Sequence, residues 1–144
     1  MTTHSIQINY RILSPEEMYG GQPPQFKNRP FPVSEIDAET TFHDESGQKL
    51  LEEPNFAIGY FHKLLEEWLK HPEEKDFVFK GEEIGWYCEI QFKIAGPEVT
   101  FIVLSDEKKT AKAHFSTDLF ISDMLEFNTK LKSDLVKAYP RLSL

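Results

Sequence analysis

Three patterns in the sequence predict an α+β domain. From Trp86 to Ile94, apolar and polar residues alternate strictly, which is the period of a strand with one buried face. Two other stretches repeat their apolar residues every three or four positions, which is typical of an amphipathic helix. Between residues 77 and 116, only short polar or Gly-Pro breaks separate the strand-like segments, which favours antiparallel neighbours. We therefore expect one antiparallel sheet of about five or six strands with two helices packed on it.

The size and composition of the chain fit one globular domain over residues 1–144. Apolar residues make up 40% and charged residues 28%, as in ordinary water-soluble proteins. The single cysteine, Cys88, has no partner within the chain for a disulfide, which suits a reducing compartment. The first residues lack the features of a secretory signal, and no window approaches the roughly 18 apolar residues of a membrane span. These features predict a cytoplasmic protein without a membrane partner.

The first third of the chain predicts a strand, a short helix, a loop and a hairpin. Residues 5–13 alternate between apolar and polar side chains, and we expect this first strand to pair with the later meander of strands at 77–116. Ser14 is followed by a proline and, at the third helical position, by an acid, which is the start signal of a helix. Four prolines at 20–34 predict a surface loop that cannot form a helix. Residues 40–51 predict a hairpin with its turn at 44–47.

The remainder predicts a central meander of strands over 77–116, between two amphipathic helices. Asn55 is the expected cap of the first helix, over about 56–70, which ends before Pro72. The second helix is expected over about 120–139. The predicted inner face of the first helix is Ala57, Phe61, Leu64, Leu65 and Trp68. The predicted inner face of the second is Ile121, Met124, Leu125, Leu131, Leu135 and Ala138, with Asn128 as a polar interruption.

No motif in the sequence calls for catalysis. The histidines lack the spacing of metal ligands, and the glycine motifs of phosphate binding and of nucleophilic serines are absent. Cys88 alternates with apolar residues, so we expect a buried and inert thiol. His62 and Glu66 are four apart on the polar side of the first helix, where we favour a surface hydrogen bond over an acid–base pair. We expect no metal, no cofactor and no catalytic residue.

Acidic residues are concentrated in one segment, 35–76, which holds twelve acidic side chains and only four lysines. Acidic and basic side chains nearly balance in each of the two flanking segments, so the net charge of −8 lies in the segment 35–76. A field of this sign repels nucleic acid and steers a basic protein partner, although it also suits a surface kept for solubility. The candidate partner-binding residues are Asp44, Glu45, Glu52, Glu53, Glu66 and Glu67.

In its plan, the chain resembles bacterial immunity proteins, which neutralise a cognate toxin domain in contact-dependent inhibition and polymorphic toxin systems. The likeness is carried by the helical segment Tyr60–Leu69, the Trp86–Leu104 hairpin and the closing helix through Leu135. It covers most of the chain as an arrangement of elements and includes no specific motif. Such proteins often mask a basic nuclease surface with acidic side chains. The resemblance therefore implies a non-enzymatic protein whose segment 35–76 binds a basic toxin partner.

Two other functions fit the same elements. A cavity between the curved sheet and the C-terminal helix, in a layout similar to helix-grip folds, would indicate a small-molecule-binding or enzymatic domain. A solid core would argue against this alternative. An uncovered outer sheet face carrying Tyr87, Thr100 and Ile102 would indicate a structural or oligomerising module. A strictly monomeric mass would argue against that second alternative.

Overall fold

Two antiparallel sheets and three helices form the part of the protein that the structure describes, residues 6–19, 31–83, 86–105, 110–140 and 142–143 of a computed structural model. The α+β class is confirmed, but the described strands divide between a three-stranded sheet, a four-stranded sheet and a two-stranded pair. None of the described helices is long and apolar enough to cross a membrane. In chain order the elements are β1 (Ile6–Ile12), α1 (Pro15–Tyr19), β2 (Phe31–Pro32), β3 (Ala38–Asp44), β4 (Lys49–Phe56), α2 (Ile58–Trp68), β5 (Phe77–Glu83), β6 (Trp86–Ala95), β7 (Glu98–Ser105), β8 (Thr110–Ser116), α3 (Thr117–Ala138) and β9 (Leu142–Ser143).

The three-stranded sheet has the order β1-β3-β4. The expectation that the first strand pairs with the later meander is therefore wrong, because β1 lies antiparallel to β3 in an unbroken register. That register places Ile8 opposite Phe42 and Ile12 opposite Ala38, so the apolar residues of both strands face the same core. Pairing with the nearby β3 thus buries the apolar side of β1 without a long crossover to the second sheet.

The predicted turn at 44–47 joins β3 to β4. The side chain of Asp44 accepts hydrogen bonds from the backbone N–H groups of Ser46 and Gln48, both at 2.9 Å. Gly47 has a φ of 91°, a conformation that glycine adopts without a Cβ clash. The hairpin prediction is therefore confirmed, together with the residue types that define its turn.

The start signal of α1 is confirmed as well. The backbone N–H of Ser14 donates to Glu17 at 3.0 Å, and the N–H of Glu17 donates to the Ser14 hydroxyl at 3.2 Å. This reciprocal pair is a capping box, which satisfies two donors that the first helical turn leaves open. Glu17 also pairs with Arg11 of β1 at 2.9 Å, so the cap is connected to the three-stranded sheet.

The four-stranded sheet, β5-β6-β7-β8, is the predicted meander. Gly96, with a φ of 61°, and Pro97 form the two-residue turn between β6 and β7, a combination that matches a type II′ turn. Cys88 is fully buried, as expected. The inward residues of these strands are apolar and buried, and they include Phe79, Ile90, Phe92, Phe101 and Val103.

Phenylalanine rings join the two sheets and the helices into one core. The ring of Phe42, on β3, lies 5.8 Å from that of Phe101 on β7. Phe61 of α2 contacts rings from both sheets, Phe42 at 5.8 Å and Phe79 at 5.5 Å, in edge-to-face arrangements. Phe120 of α3 contacts the β6 ring of Phe92 at 4.8 Å in the same way. The helices therefore pack on the inward faces of both sheets.

The helices lie close to their predicted bounds, but four side chains differ from the prediction, one of which is His62 of α2, a buried residue. Asn55 is part of β4, which continues to Phe56, so it does not cap α2. Leu125 is 56% exposed because it lies about 100° around the helix from its buried neighbour Met124. Ala138 is also exposed, in the last turn of α3. The buried residues of α3 are Thr117, Phe120, Asp123, Met124, Asn128, Leu131 and Leu135.

The predicted loop at 20–34 is described only at its end, because residues 20–30 lie outside the described ranges. Phe31–Pro32 pairs in parallel with Leu142–Ser143, as β2 and β9. Val33 begins a 3-10 turn and is buried. This end of the loop therefore contributes to the body of the domain.

The 3-10 turn packs directly against α2 at Gly59. A Cβ atom on Gly59 would lie 1.7 Å from the carbonyl oxygen of Val33. The N–H of Gly59 donates to the carbonyl of Ile36 at 3.0 Å. Glycine at this position is thus required by the close approach of two backbones.

Candidate functional site

An open groove of about 780 Å³ lies between β1, the β3–β4 turn and α3. Strand β1 contributes five consecutive residues, Ile6–Tyr10. Apolar side chains from both sides, Ile8 on the strand and Met124 and Phe127 on α3, form part of its lining. Carboxylates form another part: Asp44, Glu45, Asp123, Glu126 and Asp134. The groove therefore combines an apolar surface with acidic side chains.

Tyr10 connects the strand to α3 at one end of the groove. Its hydroxyl donates to Asp134 at 2.6 Å, and Lys130 lies 2.8 Å from the same carboxylate and 3.4 Å from the hydroxyl. The Lys130 ammonium also lies 5.2 Å from the centre of the Tyr10 ring, and the ring of Phe127 packs edge-on at 5.7 Å. Burial, with help from the bond to Asp134, raises the pKa of Tyr10 to about 12, so it remains a hydrogen-bond donor at neutral pH.

The carboxylates of the groove outnumber its cations. Lys130 is the only basic side chain among the described lining residues, and it is paired with Asp134. The hydrogen bond from Lys130, followed by that from Tyr10, lowers the pKa of Asp134. The Ser46 hydroxyl and nearby N–H groups lower the pKa of Asp44. Both carboxyl groups are therefore ionised at neutral pH, and the groove has a negative potential.

The six predicted site residues lie in three places. Asp44 and Glu45, in the β3–β4 turn, line the groove. Glu52 and Glu53, on β4, line a second and shallower depression of about 480 Å³ together with Glu39. Glu66 and Glu67 lie on α2 and are absent from both linings. The structure thus brings together two of the six residues at the main groove.

Lysines lie near several of the remaining predicted acids. Glu52 pairs with Lys49 at 3.1 Å and Glu67 with Lys70 at 3.0 Å. Glu66 lies 3.8 Å from Lys132 on α3. These partners reduce the local field that such acids present to a second protein. Glu45 and Glu126, by contrast, are exposed beside the groove.

The acids of α3 at the groove are absent from the predicted set. The net charge of the segment 77–144, which contains Asp123, Glu126 and Asp134, is small. Counting the charges of each segment therefore does not identify these acids. Their spacing of three and eight, with Lys130 between, nevertheless places them on one face of a helix. A helical-face analysis of charge would therefore have found this part of the site.

His62 lies in the core between α2 and α3, which corrects the expectation of a surface position beside Glu66. It is 1% exposed, and its Nδ1 lies 2.7 Å from the side-chain oxygen of Asn128. Its Nε2 is 4.0 Å from Glu66 and has no hydrogen-bond partner among the described residues. Burial is the main cause that lowers the pKa of His62, so the ring is neutral at neutral pH. Because it has almost no exposed surface, this histidine is a packing residue without access to a substrate.

The outer face of the four-stranded sheet is mixed in charge and partly apolar, since Glu89 and Glu98 lie on it together with lysines. Lys93 and Lys112 are exposed there, beside half-buried Thr100 and Ile102, and no described helix packs on this face. The side chain of Tyr87, which we expected on the same face, lies outside the described side chains. This face therefore lacks the excess of carboxylates over cations that the described lining of the groove has.

Comparison of the chain with protein-family models, with curated proteins and with solved structures returns no match. The resemblance to immunity proteins therefore rests on the order of elements and on charge.

Proposed function

We propose that this protein is a non-enzymatic binding domain that holds a basic protein partner in the acidic groove between β1 and α3. The observation that carries the proposal is the composition of the groove: five carboxylates, one lysine that is already paired, and apolar residues between them, among the described residues. Apolar contact supplies affinity in such a surface, while charge complementarity steers the partner and selects it.

The chemistry of the groove supports binding over catalysis. The buried His62 has no route to the groove, and the Tyr10 hydroxyl is engaged by Asp134. Masking of a basic surface by carboxylates is also the action implied by the resemblance to immunity proteins. We therefore infer that the partner is a basic toxin or nuclease domain, whose active surface this groove would cover.

A pull-down from lysate of the source cells, at low and at high salt, tests the proposal. The tagged wild-type protein is compared with the double variant Glu45→Gln/Glu126→Gln and with the control Glu73→Gln/Glu74→Gln, which removes the same charge elsewhere. We expect a stoichiometric basic protein that high salt releases, that the groove variant fails to retain and that the control retains. Recovery of no basic protein, or equal recovery by both variants, would contradict the proposal.

A small cationic ligand is the second candidate occupant of the groove. The specific observation in its favour is the location, since the groove lies between a sheet and the C-terminal helix, where the small-molecule alternative expects a cavity. Native mass spectrometry of the purified protein, in a volatile buffer, tests this second candidate. Retention of a small molecule by the wild type, and its loss from Glu45→Gln/Glu126→Gln, would favour this function over the first.

A further inference from the structure

The groove lies along a free edge of a β-sheet. Strand β1 pairs with β3 on one side, and among the described residues no strand pairs with its other side. The groove is lined by consecutive residues of β1, which alternate between the two faces of the sheet. A space beside the edge of a strand borders residues of both faces, and β1 is an edge strand among those described, so we infer that the groove runs beside this unpaired edge.

The register with β3 determines which backbone groups point into the groove. Leu13, just after β1, donates its N–H to the carbonyl of Asp37 at 3.0 Å, so these opposed residues form a hydrogen-bonded pair. Such pairs alternate along an antiparallel ladder, so Asn9 and Arg11 also bond to β3. The N–H and C=O groups of Ile8 and Tyr10 therefore point away from β3, towards the free edge.

These observations lead to one occupant, and the inference rests on the proposed function. We propose that a basic, extended segment of the partner protein binds as an additional β-strand along β1. Its backbone would bond to the outward N–H and C=O groups of Ile8 and Tyr10, as in other cases of strand addition. Its alternate side chains would reach the apolar lining at Phe127, while its lysines or arginines would lie near Glu45 and Glu126.

The dimensions of the site agree with this occupant. A strand advances about 3.3 Å per residue, so Ile6–Tyr10 offers an edge of roughly 15 Å, enough for about five residues of a partner. The β3–β4 turn lies at one end of the groove, and the Tyr10–Asp134 contact lies at the other. Unpaired strand edges readily accept a further strand unless something blocks them.

A synthetic peptide provides the test with the intact protein. The probe is a capped peptide of eight residues in which lysine and valine alternate. Its control has the same sequence and charge but carries methyl groups on the four central backbone nitrogens, which removes their donors and blocks strand pairing. Affinity is measured by titration calorimetry, and amide hydrogen exchange is followed residue by residue by NMR with and without the peptide.

We expect the unmethylated peptide to bind at least about tenfold more tightly than the methylated control, because two or more backbone hydrogen bonds are lost in the control. We also expect the amides of Ile8 and Tyr10 to exchange rapidly in the free protein and slowly in the complex. The amides of Asn9 and Arg11 should be protected in both states.

Three results would overturn strand addition: no binding of the unmethylated peptide, equal affinity of the two peptides, or binding without new protection at Ile8 and Tyr10. These outcomes are distinguishable from failure of the proposed function, which is tested by the pull-down of a basic protein. A recovered partner that depends on Glu45 and Glu126 but leaves the β1 amides unprotected would support the proposed function and exclude this binding mode.

Discussion

At the scale of single residues, the contact between His62 and Asn128 is a buried polar pair between α2 and α3. Asn128 Oδ1 accepts the Nδ1–H of the histidine at 2.7 Å, and the Asn128 amide lies 3.4 Å from the His62 carbonyl oxygen. The charged groups that face the ring are Glu66 and Lys63 on α2 and Lys132 on α3. The Nδ1–H keeps Asn128 Oδ1 as its acceptor in either protonation state, whereas a proton added at the buried Nε2 would have no hydrogen-bond acceptor among the described residues.

The lowered pKa of His62 predicts a pH-dependent stability. The unfolded chain takes up a proton near the ordinary value of 6.5, whereas the folded protein does so only at lower pH. The free energy of unfolding should therefore be constant above pH 6.5 with respect to this residue and fall below it, by at most about 1.4 kcal/mol per pH unit.

Urea denaturation at several pH values checks this prediction in His62→Gln, which keeps a donor for Asn128 and does not titrate. The variant should show a smaller loss of stability below pH 6.5 than the wild type. The matched control His71→Gln changes an exposed histidine and should keep the wild-type slope. Identical slopes in all three proteins would contradict the assignment to His62.

The close approach at Gly59 predicts a large destabilisation by a single methyl group. Gly59→Ala would place its Cβ 1.7 Å from the backbone carbonyl oxygen of Val33, which cannot move aside as a flexible side chain can. We therefore expect the free energy of unfolding to fall by about 3 kcal/mol or more. Gly47→Ala is the control, because that site has a φ of 91° but open space around the added atom, and we expect about 1 kcal/mol there. Denaturant midpoints of the two variants measure both effects, and a smaller loss at Gly59 than at Gly47 would refute the account of this contact.

At the scale of elements, α3 is held at both ends by contacts to strands. At its start, the Thr117 hydroxyl donates to the carbonyl of Gly96 at 2.8 Å, in the β6–β7 turn. Further along, Asp134 accepts from Tyr10 of β1. These contacts fix α3 against both sheets and so set the width of the groove.

Removal of the Tyr10 hydroxyl should loosen that arrangement. Tyr10→Phe should lower the free energy of unfolding by about 1 kcal/mol at neutral pH, the usual contribution of such a hydrogen bond. Because the folded-state pKa of Tyr10 is about 12 and its ordinary value is 10.0, this advantage of the wild type should be complete below pH 10.0 and disappear as the pH rises towards 12.

Thermal unfolding of the wild type and the variant across this range measures the difference. Tyr60→Phe, at an exposed position of α2, serves as the control and should change little at any pH. A Tyr10→Phe variant as stable as the wild type at neutral pH would show that the contact with Asp134 contributes nothing to the packing of α3.

Local patterns in the sequence predict most helices and strands. The features that these patterns fail to predict depend on contacts between distant residues. The alternation at 86–94 and the turn residues Gly47 and Gly96 act over a few positions, so the meander and the β3–β4 hairpin are predictable. The partner of β1 depends on which strand returns beside it, and the burial of His62 depends on Asn128, 66 positions away. Neither contact produces a periodic pattern in the sequence from which it could be predicted. The acids of α3 likewise come to the groove through the packing of α3 against β1.

At the scale of the whole molecule, carboxylates outnumber cations at the groove, whereas the outer face of the four-stranded sheet carries both signs of charge. The acidic groove lies beside the three-stranded sheet, whereas exposed Lys93 and Lys112 lie on the outer face of the four-stranded sheet. Under the proposed function, the acidic groove and the net charge of −8 would attract a basic partner from a distance and orient it before contact. The position of the charges, and not only their sum, should therefore govern association.

The most direct test of this claim is the association rate of the recovered basic partner with three double variants at low ionic strength. Each variant removes two charges: Glu45→Gln/Glu126→Gln at the groove, Glu52→Gln/Glu53→Gln on β4, or Glu66→Gln/Glu67→Gln on α2. We expect about a tenfold slower association for the groove variant and near-wild-type rates for the other two. Equal rates in the three variants, or the largest loss at Glu52 and Glu53 or at Glu66 and Glu67, would contradict a binding site between β1 and α3.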